Sequence, residues 1–542
     1  MVFTFLVGGK AGEGVKKTGS VATRIFADMG RHVFEMDDYQ SLIRGGHNFS
    51  VVTTSTREVN SHYMKADLVV CLDKRSYTIH SNHVAPQGTL IYNSDTIKGV
   101  GIGVPLTTEA KEYPDPSLML GVGGVAILSA ALGLDKKRLE TVIQGEYPRG
   151  IEDNIEYASK IYDLVYPLIA GKYQLKRGDK KRAFLFGNQA IALGACCGGL
   201  DVYFAYPMTP SSSLLHYLAA HTELGITVVH PENEIAVMNM AIGAAFTGCR
   251  TMVGTSGGGF ALMEEAFSLA GMTETPLLCV ISSRPGPSTG VPTYTAQGDL
   301  RFALNQGHGE FPRIIASPGS IKEAFSLTAE MLDLVWKFQT PGIILTEKHL
   351  SESTMTVDVT CDVPWVQPLL HEEGEYMRYR DTPTGVSPLL FMPSQQLIKW
   401  NSYEHDEKGI TTENPELIAK MQEKRKRKSE SLREYLKNVS TVNVYGKGPV
   451  IFTYGSTTMS VLEALTSGDI EATVVQPRYL EPFPAWEINH TYDSGIVIEM
   501  SSTGLFASLL KEKGIKIRRV ITKYDGRPFD PVELASRIKE VI

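Results

Sequence analysis

Cysteine is scarce in this chain: six in 542 residues, none in a Cys-x-x-Cys pair. Cys71, Cys196, Cys197, Cys249, Cys279 and Cys361 offer no set of four at the spacing that holds zinc or an iron–sulfur cluster. They read as buried thiols in a reducing compartment. No run of about 20 apolar residues occurs, so no membrane span is expected. The apolar start Met-Val-Phe-Thr-Phe-Leu-Val lacks a basic region before it and runs straight into glycines. It reads as a first strand rather than a signal peptide, and the chain is expected in the cytoplasm. Positive charge is not in excess either. A net charge of -7 argues against a nucleic-acid-binding or membrane-surface protein, both of which need a basic field.

What is present is α/β alternation. At about 100–200 residues per domain, the length allows three or so. Residues 1–170 alternate β-rich runs (4–7, 67–72, 89–92) with amphipathic stretches such as 15–29, the signature of an α/β domain with a mainly parallel sheet. Residues 171–182 are basic and polar and read as a solvated linker. Residues 183–355 return to alternation, with strands expected at 228–229, 251–253, 277–281 and 342–345. A helix over 234–246 carries small residues that suit close packing. Residues 356–440 are a polar connecting region, and 417–436 within it read as a charged helix whose Lys/Arg run forms a solvated face. Residues 441–542 form a last α/β unit, with strands at 450–453, 472–475, 494–499 and 516–520. Its loops 454–456 and 501–504 follow strand ends, where open parallel sheets place ligands or interfaces.

Three segments carry candidate chemistry. In residues 205–213, Ala-Tyr-Pro-Met-Thr-Pro-Ser-Ser-Ser, two prolines bracket a threonine after a strand. Proline fixes φ, so the Thr209 hydroxyl is held in a set direction, and the serines are placed to cap the next helix. The same spacing also fits an ordinary strand–turn–helix join. In His230-Pro-Glu-Asn-Glu234, a glutamate enters a helix of small and apolar residues, surroundings in which a carboxyl group can share a proton with a ring nitrogen. Glu232 reads as a first-turn acid complementing the helix dipole, and Glu234 is better placed for chemistry. In residues 281–300 a strand ends in Arg284 before a Pro/Gly loop. Arginine presents a planar fork that matches a carboxylate, although alone it also fits a surface loop.

Taken together and in this order, these segments resemble the 2-oxoacid:ferredoxin oxidoreductase family. The matching runs are Tyr-Pro-Met-Thr-Pro-Ser-Ser, Glu-Asn-Glu-Ile-Ala, Gly-Thr-Ser-Gly-Gly-Gly-Phe and Ser-Arg-Pro-Gly-Pro-Ser-Thr-Gly-Val-Pro-Thr. Gln297-Gly298-Asp299-Leu300 and His308-Gly-Glu-Phe-Pro312 match too. Glu404-His-Asp-Glu407, Lys424-Arg425 and Lys523-Tyr-Asp-Gly-Arg-Pro-Phe529 look like the alpha subunit of the 2-oxoglutarate type. Gly-Gly-Lys-Ala-Gly-Glu-Gly-Val and Ile-Arg-Gly-Gly-His-Asn resemble the family's gamma unit. The resemblance covers essentially the whole chain and implies a gamma–alpha fusion of three α/β domains. The middle one would be a pyrimidine-type thiamine-diphosphate-binding domain and the last a transketolase C-terminal-like domain.

The resemblance implies coenzyme A-dependent oxidative decarboxylation of a 2-oxoacid to acyl-coenzyme A and carbon dioxide, with ferredoxin as acceptor, or the reverse reductive carboxylation. Glu234 matches the glutamate that meets N1′ of the thiamine aminopyrimidine and relays its proton. Tyr206 and Pro207 lie in the cofactor-binding turn, Thr209 matches the threonine that touches the substrate, and Arg284 matches the arginine that binds its carboxylate. Met208 stands where the family usually has Ile. A Gly-Asp-Gly segment followed by Asn, for magnesium diphosphate, is missing, since Gly298-Asp299-Leu300 lacks the second glycine. The resemblance therefore assigns the diphosphate end of the cofactor with its Mg2+, and at least one [4Fe–4S] cluster, to a separate beta subunit in an αβ or (αβ)2 assembly.

The glycine loop over residues 8–14 follows a strand and opens a helix, so its amides are candidates to cradle a phosphate. Related enzymes place coenzyme A against the gamma domain, which makes Gly9, Lys10 and Gly12 candidate contacts with Arg44 as a basic helper. A structural tight turn fits the same residues. The loop departs from the dinucleotide fingerprint, which counts against a nicotinamide- or flavin-linked dehydrogenase. A non-catalytic scaffold subunit is the remaining alternative. 2-Oxoglutarate is the expected substrate, with pyruvate or a broad 2-oxoacid range next.

Overall fold

The computed structural model describes residues 2–40, 45–361, 366–488 and 491–542. They divide into two compact units. The first comprises residues 1–185, 353–358 and 530–534, and the second the remainder.

The first unit is built on an eight-stranded sheet ordered Ile102–Val104, Val84–Asn93, Ala66–Cys71, Phe3–Lys10, His47–Ser55, His32–Tyr39, Thr354–Val357, Ala183–Phe186. The sheet is mixed, where a mainly parallel one was expected. Phe3–Lys10 pairs parallel with Ala66–Cys71 on one side and antiparallel with His47–Ser55 on the other. His32–Tyr39 also pairs antiparallel with His47–Ser55. Both of these strands are buried along most of their length, so they carry no clean period-2 alternation in the sequence. Helix Pro116–Ala131 is apolar all round and buried beside the sheet.

In the second unit a seven-stranded sheet runs Tyr479–Glu481, Ile314–Ala316, Pro341–Glu347, Leu277–Ser283, Thr251–Thr255, Val202–Phe204, Thr227–Val229. All its pairings are parallel except that of the edge strand Tyr479–Glu481. A five-stranded sheet follows, ordered Val442–Gly446, Thr473–Pro477, Val450–Phe452, Ser494–Glu499, Lys516–Thr522. One hydrophobic cluster reaches from Phe204 and Val253 through Phe452 and Val475 to Phe506, so the two sheets of this unit share a core.

Two readings are corrected. Helix Pro415–Leu436 turns only part of its basic run to solvent: Lys426 is exposed, but Lys424, Arg425 and Lys428 are buried. Lys424 donates to Glu274 at 2.7 and 2.9 Å, and Lys428 pairs with the same carboxylate and donates to the Gln339 carbonyl at 3.0 Å. Burial would raise the Glu274 carboxyl, but Lys424, Lys428 and Arg378 outweigh it and hold it well below the usual range. Burial pushes Lys428 down to about 7. The buried positions recur at helical spacing with Met421, Leu432 and Leu436, so the core-facing stripe contains charge that a tertiary partner neutralises. Secondly, not all cysteines are thiols. Cys197 and Cys361 are disulfide-bonded across 164 residues, joining chain segments whose proximity only the fold creates.

No helix among the described residues is long and apolar enough to cross a membrane. None of their His, Cys, Asp and Glu side chains form a group of three or more able to hold a metal.

Candidate active site

The parallel strands of the seven-stranded sheet end on one edge, and each expected site residue of the middle segment follows a different strand there. Thr209 follows Val202–Phe204, Glu234 follows Thr227–Val229, and Arg284 follows Leu277–Ser283. Arg284 Nη1 donates to the Thr209 carbonyl at 2.8 Å. The contact is to the backbone, so it fixes the turn and one corner of the guanidinium while leaving the Thr209 hydroxyl uncommitted to Arg284. Burial lowers the affinity of Arg284 for its proton, and the neighbouring Asp299 carboxylate opposes that. Asp299 itself is pushed up by burial, with Ser283 and Arg284 holding it back.

Glu234 is the first residue of helix Glu234–Phe246. Asn233 caps the helix, its side chain accepting from the Ala236 amide at 2.9 Å. Glu232 precedes this cap and is exposed, so it is not the first-turn acid it was expected to be; Glu234 holds that position. The Glu234 side chain is buried, 3% exposed, and its Oε1 has no hydrogen-bond partner among the described residues. A buried carboxyl oxygen left without a partner costs free energy unless something completes it.

The room for this carboxyl comes from helix Gly257–Met272, which opens on three glycines. A Cβ on Gly259 would lie 2.7 Å from Glu234 Oε1, and one on Gly257 would lie 2.6 Å from Asp299 Oδ2. Thr255 Oγ1 also borders the Gly259 space and reaches Met208 Sδ at 3.9 Å. Thus Thr255 borders both Met208 on the threonine turn and the Gly259 space that Glu234 also borders. Tyr206 and Pro207 are exposed on the same turn, with the Tyr206 ring 5.9 Å from that of His230. The expected serine cap is not formed. Ser211 stands at the N-cap without a side-chain bond, and Ser213 instead accepts from Asn188 at 2.8 Å.

A further layer was not singled out from the sequence. Glu347 closes strand Pro341–Glu347 and is 1% exposed. Its Oε1 accepts from Gln297 Nε2 at 2.7 Å and its Oε2 from the Ser456 amide at 3.0 Å. Burial pushes this carboxyl up to about 7, against those two donors. The Gln-Gly-Asp-Leu run was the available signal, and its partners lie 50 or more residues away. The strand-end loops of the last sheet are therefore filled by the chain itself. Glu347 takes the Ser456 amide, and Glu499 takes the amides of Phe506 and Ala507 at 2.9 and 3.0 Å.

The first unit holds the other candidates. Gly8, Gly9 and Lys10 lie in strand Phe3–Lys10, so the loop is shorter than expected and only residues 11–14 turn. Glu13 accepts from the Lys10 amide at 2.7 Å, which puts a carboxylate on an amide that a phosphate was expected to take. Burial raises this carboxyl, opposed by the Lys10 amide. Gly12 and Gly14 have φ of 98° and 75°, values that glycine adopts without strain. Beside the turn lies a cavity of about 650 Å3, lined by Lys10, Glu13, Lys74, Arg75, Thr78 and Ile79 among others. Arg44 lies outside the described residues.

Comparison with known proteins gives a consistent picture. Residues 193–424 match the family described as pyruvate flavodoxin/ferredoxin oxidoreductase, thiamine-diphosphate-binding. Residues 4–164 match the one described as pyruvate ferredoxin/flavodoxin oxidoreductase. The chain is similar to the 2-oxoacid:ferredoxin oxidoreductase subunit alpha of a Sulfolobus species, 30% identical over 100% of this chain and 97% of the relative. It is 28% identical to the 2-oxoglutarate synthase subunit KorA of Methanothermobacter marburgensis, over 66% of this chain and 98% of the relative. Among solved structures it is similar, with a TM-score of 0.90, 27% identity and 99% of both chains covered, to a 2-oxoglutarate:ferredoxin oxidoreductase from Magnetococcus marinus. That structure has 2-oxoglutarate, coenzyme A and succinyl-CoA bound.

Proposed function

The chain belongs to the 2-oxoacid:ferredoxin oxidoreductase family, and on that premise we propose that Glu234, Thr209 and Arg284 are its half of an active site completed by a beta subunit. Glu234 Oε1 carries the proposal, because a buried, unpartnered carboxyl oxygen at a helix start is what a ring nitrogen of the thiamine aminopyrimidine would complete. Bound thiamine diphosphate supplies the electron sink that lets the carboxyl carbon of the oxoacid leave. Glu234 holds and returns the proton at the ring nitrogen. Arg284 presents the edge of its guanidinium not bound to Thr209 to the oxoacid carboxylate. The Thr209 hydroxyl orients the same end of the substrate, and Tyr206 and Pro207 line the cofactor side of the turn.

The substrate we propose is 2-oxoglutarate, oxidised with coenzyme A to the acyl thioester and carbon dioxide while the electron pair passes to ferredoxin, or formed in the reverse direction. The bound ligands of the Magnetococcus marinus enzyme and the name of the Methanothermobacter relative support it. A broader 2-oxoacid range is the second reading, favoured by the name of the Sulfolobus relative. Coenzyme A would take its phosphates to the cavity beside Gly9, Lys10 and Gly12, where Lys74 and Arg75 add positive charge. The magnesium-bound diphosphate end and the [4Fe–4S] cluster belong to the beta subunit. Exposed apolar side chains suit that partner: Ile235 and Met240, on the helix that Glu234 begins, and Leu262, on the glycine-led helix, are 53%, 45% and 52% exposed.

The test is Glu234→Gln in the co-purified complex with its beta subunit, assayed with a viologen dye as acceptor. Turnover is expected to fall by about 10²–10⁴-fold, with thiamine diphosphate still bound. Undiminished turnover would remove Glu234 from the chemistry and favour a scaffold role.

A further inference from the structure

Arg284 opens a loop that must end somewhere fixed if the guanidinium is to meet a substrate the same way at every turnover. Near the other end is Gln297, three residues before helix Leu300–Asn305. Its side chain is 1% exposed, and all four hydrogen-bonding positions of the amide are used. Nε2 donates to Glu347 Oε1 at 2.7 Å and to the Tyr454 carbonyl at 2.9 Å. Oε1 accepts from the Thr457 hydroxyl at 2.9 Å and the Met500 amide at 2.8 Å. The backbone joins in, as the Gln297 amide donates to the Met500 carbonyl at 2.7 Å.

These partners come from the strand end at Glu347 and from two loops of the five-stranded sheet. The loop has lesser anchors as well: the Thr295 amide donates to the Gly526 carbonyl at 3.0 Å, and Arg527 lies 3.6 Å over the Tyr294 ring. Gly455, with φ of 57°, has no Cβ to collide with Glu347. Gln297 ties the loop to three chain segments through one rigid group.

We infer that Gln297 is a positioning residue, which through Glu347 and the last sheet holds the loop beginning at Arg284 in the geometry that binds the oxoacid carboxylate. The inference rests on the substrate role of Arg284 proposed above. Buried networks in which every member is satisfied lock a single arrangement, and a binding group displaced by about 1 Å can lose about 10²-fold.

The experiment uses the complex with its beta subunit and 2-oxoglutarate as probe. Gln297→Glu sets two carboxylates against each other, and the KM for the oxoacid is expected to rise at least about tenfold, with kcat and thiamine diphosphate affinity changed by less than about threefold. The double variant Gln297→Glu/Glu347→Gln restores a donor–acceptor pair between the two side chains, leaves the bond to the Tyr454 carbonyl lost, and should recover part of the loss. If Gln297→Glu does not assemble, Thr457→Val, which deletes one bond to Oε1, should raise KM by a smaller factor. Arg284→Ala is the control. A raised KM there, with unchanged KM in Gln297→Glu or in its Thr457→Val substitute, overturns the positioning role and leaves the substrate reading intact. Unchanged KM in Arg284→Ala overturns both. Parallel losses of kcat, cofactor affinity and melting temperature in Gln297→Glu without rescue would reduce Gln297 to a structural residue.

Discussion

Glu234 and Gly259 compete for one space: Glu234 Oε1 lies where a side chain on Gly259 would begin, 2.7 Å from its Cβ position. Glycine within a helix is otherwise unfavourable by up to about 1 kcal/mol relative to alanine. Here it leaves the carboxyl room to remain buried at the sheet edge beside Thr255.

Gly259→Ala should therefore separate activity from stability. The new methyl would meet Thr255 Oγ1 and, at 2.7 Å, Glu234 Oε1, so it displaces both, and turnover is expected to fall on the order of 10²-fold. Added helix propensity offsets part of the packing cost. Paired kcat and melting measurements check this; a loss of stability without a loss of turnover would refute it.

Glu35 predicts a pH dependence in the first unit. It is 5% exposed, accepts from Thr23 Oγ1 at 2.9 Å, and burial together with Asp37 pushes its carboxyl up to about 8. The folded state thus binds a proton that the unfolded state has released, and stability falls as pH rises from about 4.5 to 8. Glu35→Gln keeps the acceptor for Thr23 and removes the ionisation. It should stabilise by about 3–4 kcal/mol more at pH 8 than at pH 5, read from urea denaturation. Equal gains at both pH values would contradict the assignment.

Lys428 and Glu274 should respond in opposite directions. Lys428 is held near 7 in the fold by burial, so stability rises between about pH 7 and 10.5 as the unfolded chain retains the proton longer. Lys428→Met should abolish that slope and be neutral or stabilising at pH 7. Glu274→Gln strips the carboxylate from two buried lysines and should cost about 3–5 kcal/mol. Thermal melts at pH 7 and 9 decide; a destabilising Lys428→Met with a tolerated Glu274→Gln would invert the account.

The sequence by itself determined the alternation of elements and the motif residues at strand ends. Helix Glu234–Phe246 and strand Ser494–Glu499 fall where periodicity and turn residues put them, because local propensity and tertiary burial agree there. The motif order likewise carried the family resemblance, since Thr209, Glu234 and Arg284 each follow a strand and need only local chemistry to be noticed. Tertiary structure decided the rest. Strand His47–Ser55 is buried on both faces and shows no alternation. The charged helix is inward-facing because Glu274, 150 residues earlier, supplies its counter-charge. Glu13, rather than a ligand, takes the Lys10 amide. Gln297 reads as one polar residue among many until Glu347, Tyr454, Thr457 and Met500 converge on it. Each of these is a pairing of distant groups in a water-poor interior, where an unmatched charge or amide is too costly to leave, and no local pattern records which distant group will match it.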